Sequence, residues 1–256
     1  MFVPSFSLKN KLAVVTGAGR GIGRALSIGL AEAGSDVVLL SRTREDLEET
    51  ADVIEKFGRK AHILPTDVTS REDIRKVMTY IENHDLSIDI LINNAGMNIR
   101  SAALEATDDE WQKIMDTNLK SAFMMCQEVG KHMKERERGK IINVASVAGH
   151  VALRTGVVYA STKAAMIQMT KVLAMEWGKY NINVNSIGPW YFKTPLTKEL
   201  LQNQEYVNDI LSVTPLKRIG ELEELVGPAV FLSSDASNYV TGQTLFVDGG
   251  MTINGF

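Results

Sequence analysis

Two side chains in the middle of the chain are of types that can exchange a proton. Tyr159 and Lys163 are four residues apart, and residues with this spacing lie on the same face of a helix. A phenol titrates near pH ~10, and a neighbouring positive charge lowers such a pKa by roughly 1–3 units. Ser146, at the end of an apolar run, could orient a substrate oxygen beside the phenol. Taken alone, a Tyr-x-x-x-Lys spacing is more often a packed ring and a solvated ammonium.

The composition is that of an ordinary globular chain. Its 256 residues are 45% hydrophobic and 23% charged, and the formal net charge of -3 offers no basic surface for nucleic acid. The single cysteine, Cys126, fits a reducing compartment and lies among apolar neighbours, which favours a core residue over a nucleophile. The first residues lack the features of a signal peptide, and no apolar run reaches the ~18 residues of a membrane span. We therefore expect a cytoplasmic protein.

Apolar runs alternate with helix-like segments along almost the whole chain. The predicted strands cover 12–16, 37–40, 61–64, 88–92, 141–144, 182–187 and 244–247. The predicted helices cover about 21–33, 43–57, 70–83, 108–136, the region of Tyr159, and 222–232. Continuously apolar strands separated by helices predict a parallel sheet that is covered on both faces. We expect one α/β domain over residues 1–256, a Rossmann-type doubly wound sheet of about seven strands, with ligands beyond the carboxyl ends of the strands.

The first predicted strand ends in a glycine-rich turn. Residues 16–23 read TGAGRGIG and stand between a predicted strand and a predicted helix. Glycines allow a tight turn and a close approach of the backbone to a pyrophosphate, and the free amides of a helix N-terminus attract the anion. This context predicts a dinucleotide-binding site. The residues assigned to it are Gly17, Gly19, Arg20, Gly21, Ile22 and Gly23.

The second strand end indicates which dinucleotide is bound. An acidic residue about 20 positions beyond the glycines is typical of NAD enzymes, whereas an arginine there favours the 2′-phosphate of NADP. Ser41 and Arg42 occupy this place, with no acidic residue before Glu45, and Arg20 adds a second cation. These residues predict NADP in preference to NAD. The alternatives are that Arg20 is a solvated loop residue and that Arg42 caps a helix.

The third and fourth strand ends carry further polar side chains. Asp67 and Val68 follow the third strand, where the carboxylate could lie near the adenine amino group or could cap the helix that follows Ser70. The fourth strand ends in the amide-rich sequence NNAG, from which Asn94, Ala95 and Gly96 are assigned to the cofactor ribose and its loop. Asn118 lies within a helical pattern, and by itself it indicates a kink or a local backbone hydrogen bond.

Taken together and in order, these segments resemble the short-chain dehydrogenases/reductases over nearly the whole chain. The matching features are the TGAGRGIG turn, NNAG at 93–96, Asn118, Ser146, Tyr159-x-x-x-Lys163 and the closing VTGQTLFVDGG at 240–250. The resemblance implies that Tyr159 exchanges the substrate proton and that Lys163 lowers its pKa and holds the nicotinamide ribose. It implies that Ser146 steadies the carbonyl oxygen and that Asn118 holds a water in the proton path.

The resemblance also implies the reaction and the assembly. Hydride would pass between a nicotinamide and a substrate carbon, which interconverts a ketone and a secondary alcohol. Pro189 and Thr194 are the remaining residues assigned to the cofactor. No metal is expected, because the four histidines are scattered along the chain. Members usually form homotetramers or homodimers, through the helices at 108–136 and 157–180 and the last strand.

The segment at 189–215 is expected to be a mobile lid over the substrate. Residues 187–197 (IGPWYFKTPLT), with the FSLK start at 6–9, most resemble gluconate 5-dehydrogenase and related sugar-acid reductases. Trp190 replaces the glycine that is usual there, and a large ring would narrow or reshape the substrate site. An anionic sugar acid needs a cation, for which Arg100, His150, Arg154 and Lys193 are the candidates by position. A 3-oxoacyl thioester reductase and a non-catalytic dinucleotide-binding regulator remain alternatives.

Overall fold

The structure is a computed structural model that describes residues 2–253. Seven parallel strands form one sheet in the order β3-β2-β1-β4-β5-β6-β7. The strands are β1 Leu12–Thr16, β2 Asp36–Ser41, β3 Ala61–Pro65, β4 Ile90–Asn93, β5 Gly139–Val144, β6 Ile182–Pro189 and β7 Thr244–Val247. The strand order reverses between β1 and β4, which is where a doubly wound sheet opens a crevice for a ligand. The predicted Rossmann-type sheet of seven strands is therefore confirmed.

Helices cover both faces of the sheet. They are α1 Gly21–Glu32, α2 Arg44–Lys56, α3 Arg71–Asn83, α4 Asp108–Met115, α5 Ser121–Glu135, α6 Val157–Trp177, α7 Gln204–Ser212 and α8 Glu223–Ser233. Val15 of β1 packs in a buried cluster with residues of α1, α2 and α8, whereas its neighbour Val14 packs with residues of α3, α5 and α6. Successive side chains of a strand point to opposite faces. Two covered faces therefore explain why the strands are continuously apolar.

The long helix predicted at 108–136 is present but interrupted. Thr107 and Glu110 form the capping box at the start of α4, with the Glu110 amide donating to Thr107 Oγ1 at 3.2 Å. Between α4 and α5 the chain makes a π-helical turn over Asp116–Lys120, and Asn118 is its buried residue. Single π-turns inside helices are frequently found at functional sites.

The segment at 189–215 contains more regular structure than a loop. It includes α7, whose first turn is capped by Asn203, the acceptor of a 3.1 Å hydrogen bond from the Tyr206 amide. Its first residues are tied to the sheet, since the Trp190 amide donates to Val247 O at 3.3 Å. Short 3-10 turns lie at Val147–Gly149, Gly178–Tyr180, Leu200–Gln202, Asp235–Ser237 and Met251–Ile253. Across 2–253, no helix combines the length and apolarity needed to cross a bilayer.

Candidate active site

A cavity of about 870 Å³ opens at the carboxyl ends of the strands. Every residue predicted to bind the cofactor lines it, with the exception of Gly23. Ser146, Tyr159 and Lys163 line the same cavity, whereas Asn118 does not. The tertiary structure thus brings the glycine turn and the proton-exchanging side chains to one space, as parallel strands with their carboxyl ends at one edge require.

The glycine turn has the shape that a dinucleotide needs. Gly17 and Gly21 have φ of +65° and +56°, which side chains rarely tolerate. A Cβ on Gly23 would lie 2.1 Å from the carbonyl oxygen of Gly17, so Gly23 is required for the packing of α1 behind the turn. Helix α1 has no side-chain cap and no acidic residue in its first turn. Its first amides are therefore available to an anion, and the site fits the pyrophosphate of NAD(P).

Asn94 fixes the glycine turn to the end of β4. Its side-chain Nδ2 donates to Thr16 O at 2.9 Å and to Gly17 O at 3.3 Å. Its backbone amide donates to Thr16 Oγ1 at 2.9 Å. The strand ends β1 and β4 are thus held together by one amide side chain at the place where the strand order reverses.

Two cations stand at the outer end of the cavity. Arg20 and Arg42 are exposed, and neither forms an ion pair within 4 Å with any other described residue. Asp67 accepts hydrogen bonds from the amide and hydroxyl of Thr69, at 2.9 and 2.7 Å. These bonds, helped by the charge of Arg42, hold the pKa of Asp67 below its usual value. Because Ser70 itself caps α3, the alternative that Asp67 caps this helix is wrong.

The sequence reading missed an acidic residue in this region. Asp46, in the first turn of α2, lines the cavity, and its Cβ lies 2.6 Å from where a Cβ on Gly19 would be. Asp46 stands one residue beyond Glu45. Its position at the start of α2 was the available signal, because a helix that begins beside the glycine turn places its first residues against that turn.

Lys163 is buried beside Tyr159. Its Nζ donates to Val144 O at 2.7 Å and lies 5.7 Å from the centre of the Tyr159 ring. Burial lowers the pKa of Lys163 to about 8. Burial raises the pKa of Tyr159, and a hydrogen bond with Ser146 and the charge of Arg100 oppose this rise. Burial is the larger effect because it disfavours the charged phenolate. That Lys163 lowers the pKa of Tyr159 stays a prediction.

Ser146 follows β5 and begins the turn Val147–Gly149. Its Oγ accepts a hydrogen bond from the Ala148 amide at 3.1 Å. Because Ser146 Oγ is the acceptor in this bond, its hydroxyl proton can be donated to another partner. The residue therefore presents a donor to the cavity beside Tyr159.

Asn118 acts away from the cavity. Its Oδ1 accepts from the Met97 amide at 2.8 Å, and its Nδ2 donates to Met97 O at 2.9 Å and to Thr162 Oγ1 at 3.3 Å. These bonds use the side chain to join the loop after β4 to α6. The water-holding role that the family resemblance gives to Asn118 stays a prediction.

The predicted substrate residues divide into two groups. Arg100 and Trp190 line the cavity. His150 does not and packs on the ring of Phe246, and Arg154 pairs with Asp209 at 2.6 Å. Lys193 also points elsewhere and pairs with Glu221. The prediction that His150 and Arg154 face the substrate is wrong, because His150 packs on Phe246 and Arg154 is paired with Asp209 on α7.

Two polar residues that the sequence reading missed line the cavity. Asn98 follows β4 and donates through Nδ2 to Thr155 O at 2.9 Å. Its Oδ1 and the Thr155 hydroxyl are buried and have no hydrogen-bond partner among residues 2–253. Their positions in the sequence could have indicated this, since both residues stand in loops that flank Tyr159. Within the same range no group of three or more His, Cys, Asp or Glu residues could hold a metal ion.

Known proteins resemble this chain along nearly its whole length. A family model described as enoyl-(acyl carrier protein) reductase matches residues 17–252. Gluconate 5-dehydrogenase of Gluconobacter oxydans is 42% identical over 250 residues, 97% of either chain, and NAD-dependent glycerol dehydrogenase of Listeria innocua is 42% identical over 252 residues, 98% of either chain.

A solved structure gives the same result. The crystal structure of a gluconate 5-dehydrogenase from Burkholderia cenocepacia in complex with NADP and tartrate has a TM-score of 0.93 and 39% identity, covering 97% of either chain. A 5-keto-D-gluconate 5-reductase of Escherichia coli is 37% identical over 248 residues, 97% of this chain and 98% of the relative. The chain therefore belongs to the short-chain dehydrogenase/reductase family and is an oxidoreductase that acts on CH–OH groups with NAD(P).

Proposed function

We propose that the protein interconverts a ketone and a secondary alcohol on a small sugar acid or polyol, such as 5-ketogluconate and gluconate, with NADP as the preferred cofactor. The observation that carries the proposal is the position of Arg100. It lines the cavity and has no ion pair within 4 Å in the described chain, and its charge acts on both Tyr159 and Tyr191. A free cation so close to the phenol suits a substrate whose carboxylate lies near the reacting carbonyl.

The names of two relatives support a hydroxylated substrate. The named activities of the gluconate and glycerol dehydrogenases among the relatives agree with this class of substrate.

Each side chain at the inner end of the cavity would have its own role in the reaction. When bound, the nicotinamide supplies or accepts the hydride. Tyr159 would give a proton to the carbonyl oxygen during reduction and take it back during oxidation, while the Ser146 hydroxyl steadies that oxygen. Lys163, with its pKa at about 8, is protonated at neutral pH. Its charge would stabilise the phenolate that forms when Tyr159 has given up its proton.

The preference for NADP rests on the outer end of the cavity. Arg20 and Arg42 are unpaired cations there, which suits a 2′-phosphate. Asp46 opposes this preference because a carboxylate repels the phosphate. Asp67 lies at the same end, but its Oδ1 already accepts from Thr69, so the two unpaired arginines are the basis for proposing NADP. Among the relatives, three solved structures contain NADP by their descriptions, and the glycerol dehydrogenase is NAD-dependent by name.

The assembly that we propose is a homodimer or homotetramer. Trp111 of α4 and Phe123 of α5 are exposed and border a shallow groove together with Met169 of α6. Exposed aromatic residues around an apolar groove are typical of an interface. Sedimentation should give a multiple of the 28.2 kDa chain. The change Phe123→Asp should reduce this mass, whereas Phe57→Asp, at an exposed aromatic at the end of α2, should not.

A substrate panel tests the proposed reaction. The purified protein is assayed with NADPH and with NADH against keto-gluconates, sugars, glycerol-type polyols and a 3-oxoacyl thioester. We expect turnover of a keto sugar acid, faster with NADPH. Turnover of the thioester alone would replace the proposed substrate, and no turnover of any carbonyl compound would favour a non-catalytic binding protein.

The role of Tyr159 has its own test. Tyr159→Phe should lower kcat by roughly 10²–10⁴-fold, because general acid catalysis is lost, while the affinity for NADPH is retained. The control is Tyr239→Phe, at a fully exposed tyrosine, which should leave kcat unchanged. Equal activity of Tyr159→Phe and the parent would refute the assignment.

A further inference from the structure

Trp190 joins the two ends of the segment at 190–214. Its indole Nε1 donates to Thr214 Oγ1 at 3.0 Å, across 24 residues of chain. Thr214 is buried and donates in turn to Ile210 O at 2.6 Å, in the last turn of α7. The Trp190 ring also meets the ring of Tyr191 edge to face, with 4.6 Å between the centroids. The tryptophan that replaces the usual glycine therefore closes this segment on itself.

Tyr191 links the cavity to α7. It lines the cavity, its side chain is 7% exposed, and its hydroxyl forms a 2.5 Å hydrogen bond with the hydroxyl of Tyr206 on α7. The two rings are 5.9 Å apart and nearly perpendicular. Tyr206 does not line the cavity. Tyr191 thus faces the cavity, while its hydroxyl is bonded to a residue that lies outside the cavity.

Helix α7 is itself fastened to the loop that precedes α6. Arg154 pairs with Asp209 at 2.6 Å, and the Arg154 guanidinium lies 5.7 Å from the centre of the Tyr206 ring. This loop also carries Thr155 and leads into the helix of Tyr159. The contacts of Tyr206 therefore connect α7 both to the cavity wall and to the element that carries the phenol.

We infer that Tyr206 is a positioning residue, which holds Tyr191 beside Arg100 at the substrate end of the cavity. The substrate would then contact Tyr191, whose position in the cavity wall is fixed by a residue of α7. The part of the inference that concerns an anionic substrate rests on the proposed function. The charge of Arg100 acts on the Tyr191 hydroxyl, whose pKa is raised by burial and by the hydrogen bond with Tyr206. Loss of the Tyr206 hydroxyl would leave Tyr191 free to turn, and Arg100 would lose a fixed neighbour.

A double-mutant cycle tests this inference in the NADPH-bound enzyme. The variants are Tyr206→Phe, Tyr191→Phe, the double variant and the control Tyr239→Phe. We expect Tyr206→Phe to raise the KM of the best substrate in the panel about 3- to 10-fold, the range of one net hydrogen bond. We expect kcat and the KM of NADPH to stay within about twofold, since one hydrogen bond away from the cofactor is lost. The double variant should be no worse than either single variant.

Three outcomes would overturn the inference. The first is a KM for Tyr206→Phe equal to that of Tyr239→Phe. The second is a double variant whose effect is the sum of the single effects. The third is an equal loss of substrate and NADPH affinity, which would show that Tyr206 has only a general structural role.

A second measurement does not depend on turnover. Hydrogen exchange of the peptide 190–193 in the NADPH-bound protein should be faster in Tyr206→Phe than in Tyr239→Phe, because the hydroxyl bond no longer holds Tyr191. Equal exchange rates would overturn the inference whatever the substrate is. Conversely, faster exchange in a protein that turns over no sugar acid would leave the positioning role standing and remove the proposed substrate.

Discussion

Two buried lysines lie at opposite ends of the sheet, and burial lowers the pKa of each. Both Lys163 and Lys140 have a pKa of about 8. Among residues 2–253, Lys163 has one hydrogen bond, to Val144 O, and it lines the large cavity. Lys140, near the start of β5, donates to the side chains of Asn183 and Asn238 at 2.9 Å and of Ser237 at 3.4 Å. A perturbed pKa therefore does not identify a functional lysine, whereas an incomplete set of partners beside a cavity does.

The arginines repeat this contrast. At the amino ends of the strands, Arg136 donates to Ile88 O at 2.6 Å and to Asp89 Oδ1 at 3.1 Å. At the carboxyl ends, Arg42 and Arg100 line the cavity without an ion pair within 4 Å in the described chain. Cations with protein partners stabilise the fold, and cations without them are available to an anionic ligand. The two edges of one sheet thus divide stability and binding between them.

The largest effect should come from replacing each of the two lysines by methionine. Lys163→Met should lower kcat by about 10²-fold or more, since the cation that stabilises the phenolate is lost. Lys140→Met should retain kcat within about threefold, because the residue does not line the cavity and its hydrogen bonds go to Asn183, Ser237 and Asn238. Steady-state kinetics with the best substrate measure both. Similar losses of kcat in both variants would contradict the distinction between a functional Lys163 and a structural Lys140.

A smaller effect is expected at the arginines. Arg42→Ala should reduce the ratio of kcat/KM for NADPH to that for NADH by about 10- to 100-fold, the worth of a hydrogen-bonded phosphate contact. Arg138→Ala is the matched control, since this exposed arginine pairs with Asp89 at the opposite edge. Its cofactor ratio should equal that of the parent. An unchanged ratio in Arg42→Ala would mean that this arginine points away from the phosphate.

The smallest effect is on stability, and it depends on pH. The pKa of Lys140 is about 8 in the folded chain and near ~10.4 in the unfolded chain. Between these values the unfolded chain binds a proton that the folded chain does not, so the free energy of unfolding rises with pH. Urea unfolding at pH 7.5 to 10 should show this rise in the parent and a smaller one in Lys140→Met. An equal rise in both would mean that Lys140 titrates normally.

Much of the fold followed from local patterns. The continuously apolar runs predicted the strands, and the helix predicted from 108 does begin there, at a capping box that needs only residues three apart. Asn118 shows where this reasoning stops. An asparagine in a helical pattern indicated a kink, and a π-turn lies there, but nothing indicated that its side chain bonds to Met97 and Thr162 in other elements. Partners so distant in the chain leave no local signal.

The candidate site was predictable to a similar extent. The glycine turn, Arg42 and Tyr159 were found because their positions at strand ends and on one helix face follow from spacing. The directions of loop side chains were not, which is why His150 and Arg154 were wrongly expected in the cavity. Burial, which raises the pKa of Tyr159, was not visible either, since spacing reveals a neighbouring charge and does not reveal burial.

By itself, the sequence determined the order of strands and helices, the dinucleotide turn and the proton-exchanging pair, because each depends on residues close together in the chain. Tertiary structure alone decided which cations stay free, that Trp190 closes its segment onto Thr214, and that Tyr206 reaches Tyr191 from outside the cavity. The physical reason is that pairing and burial are properties of the packed chain. The local sequence determines that a residue lies at a strand end, but tertiary packing determines which residues it contacts.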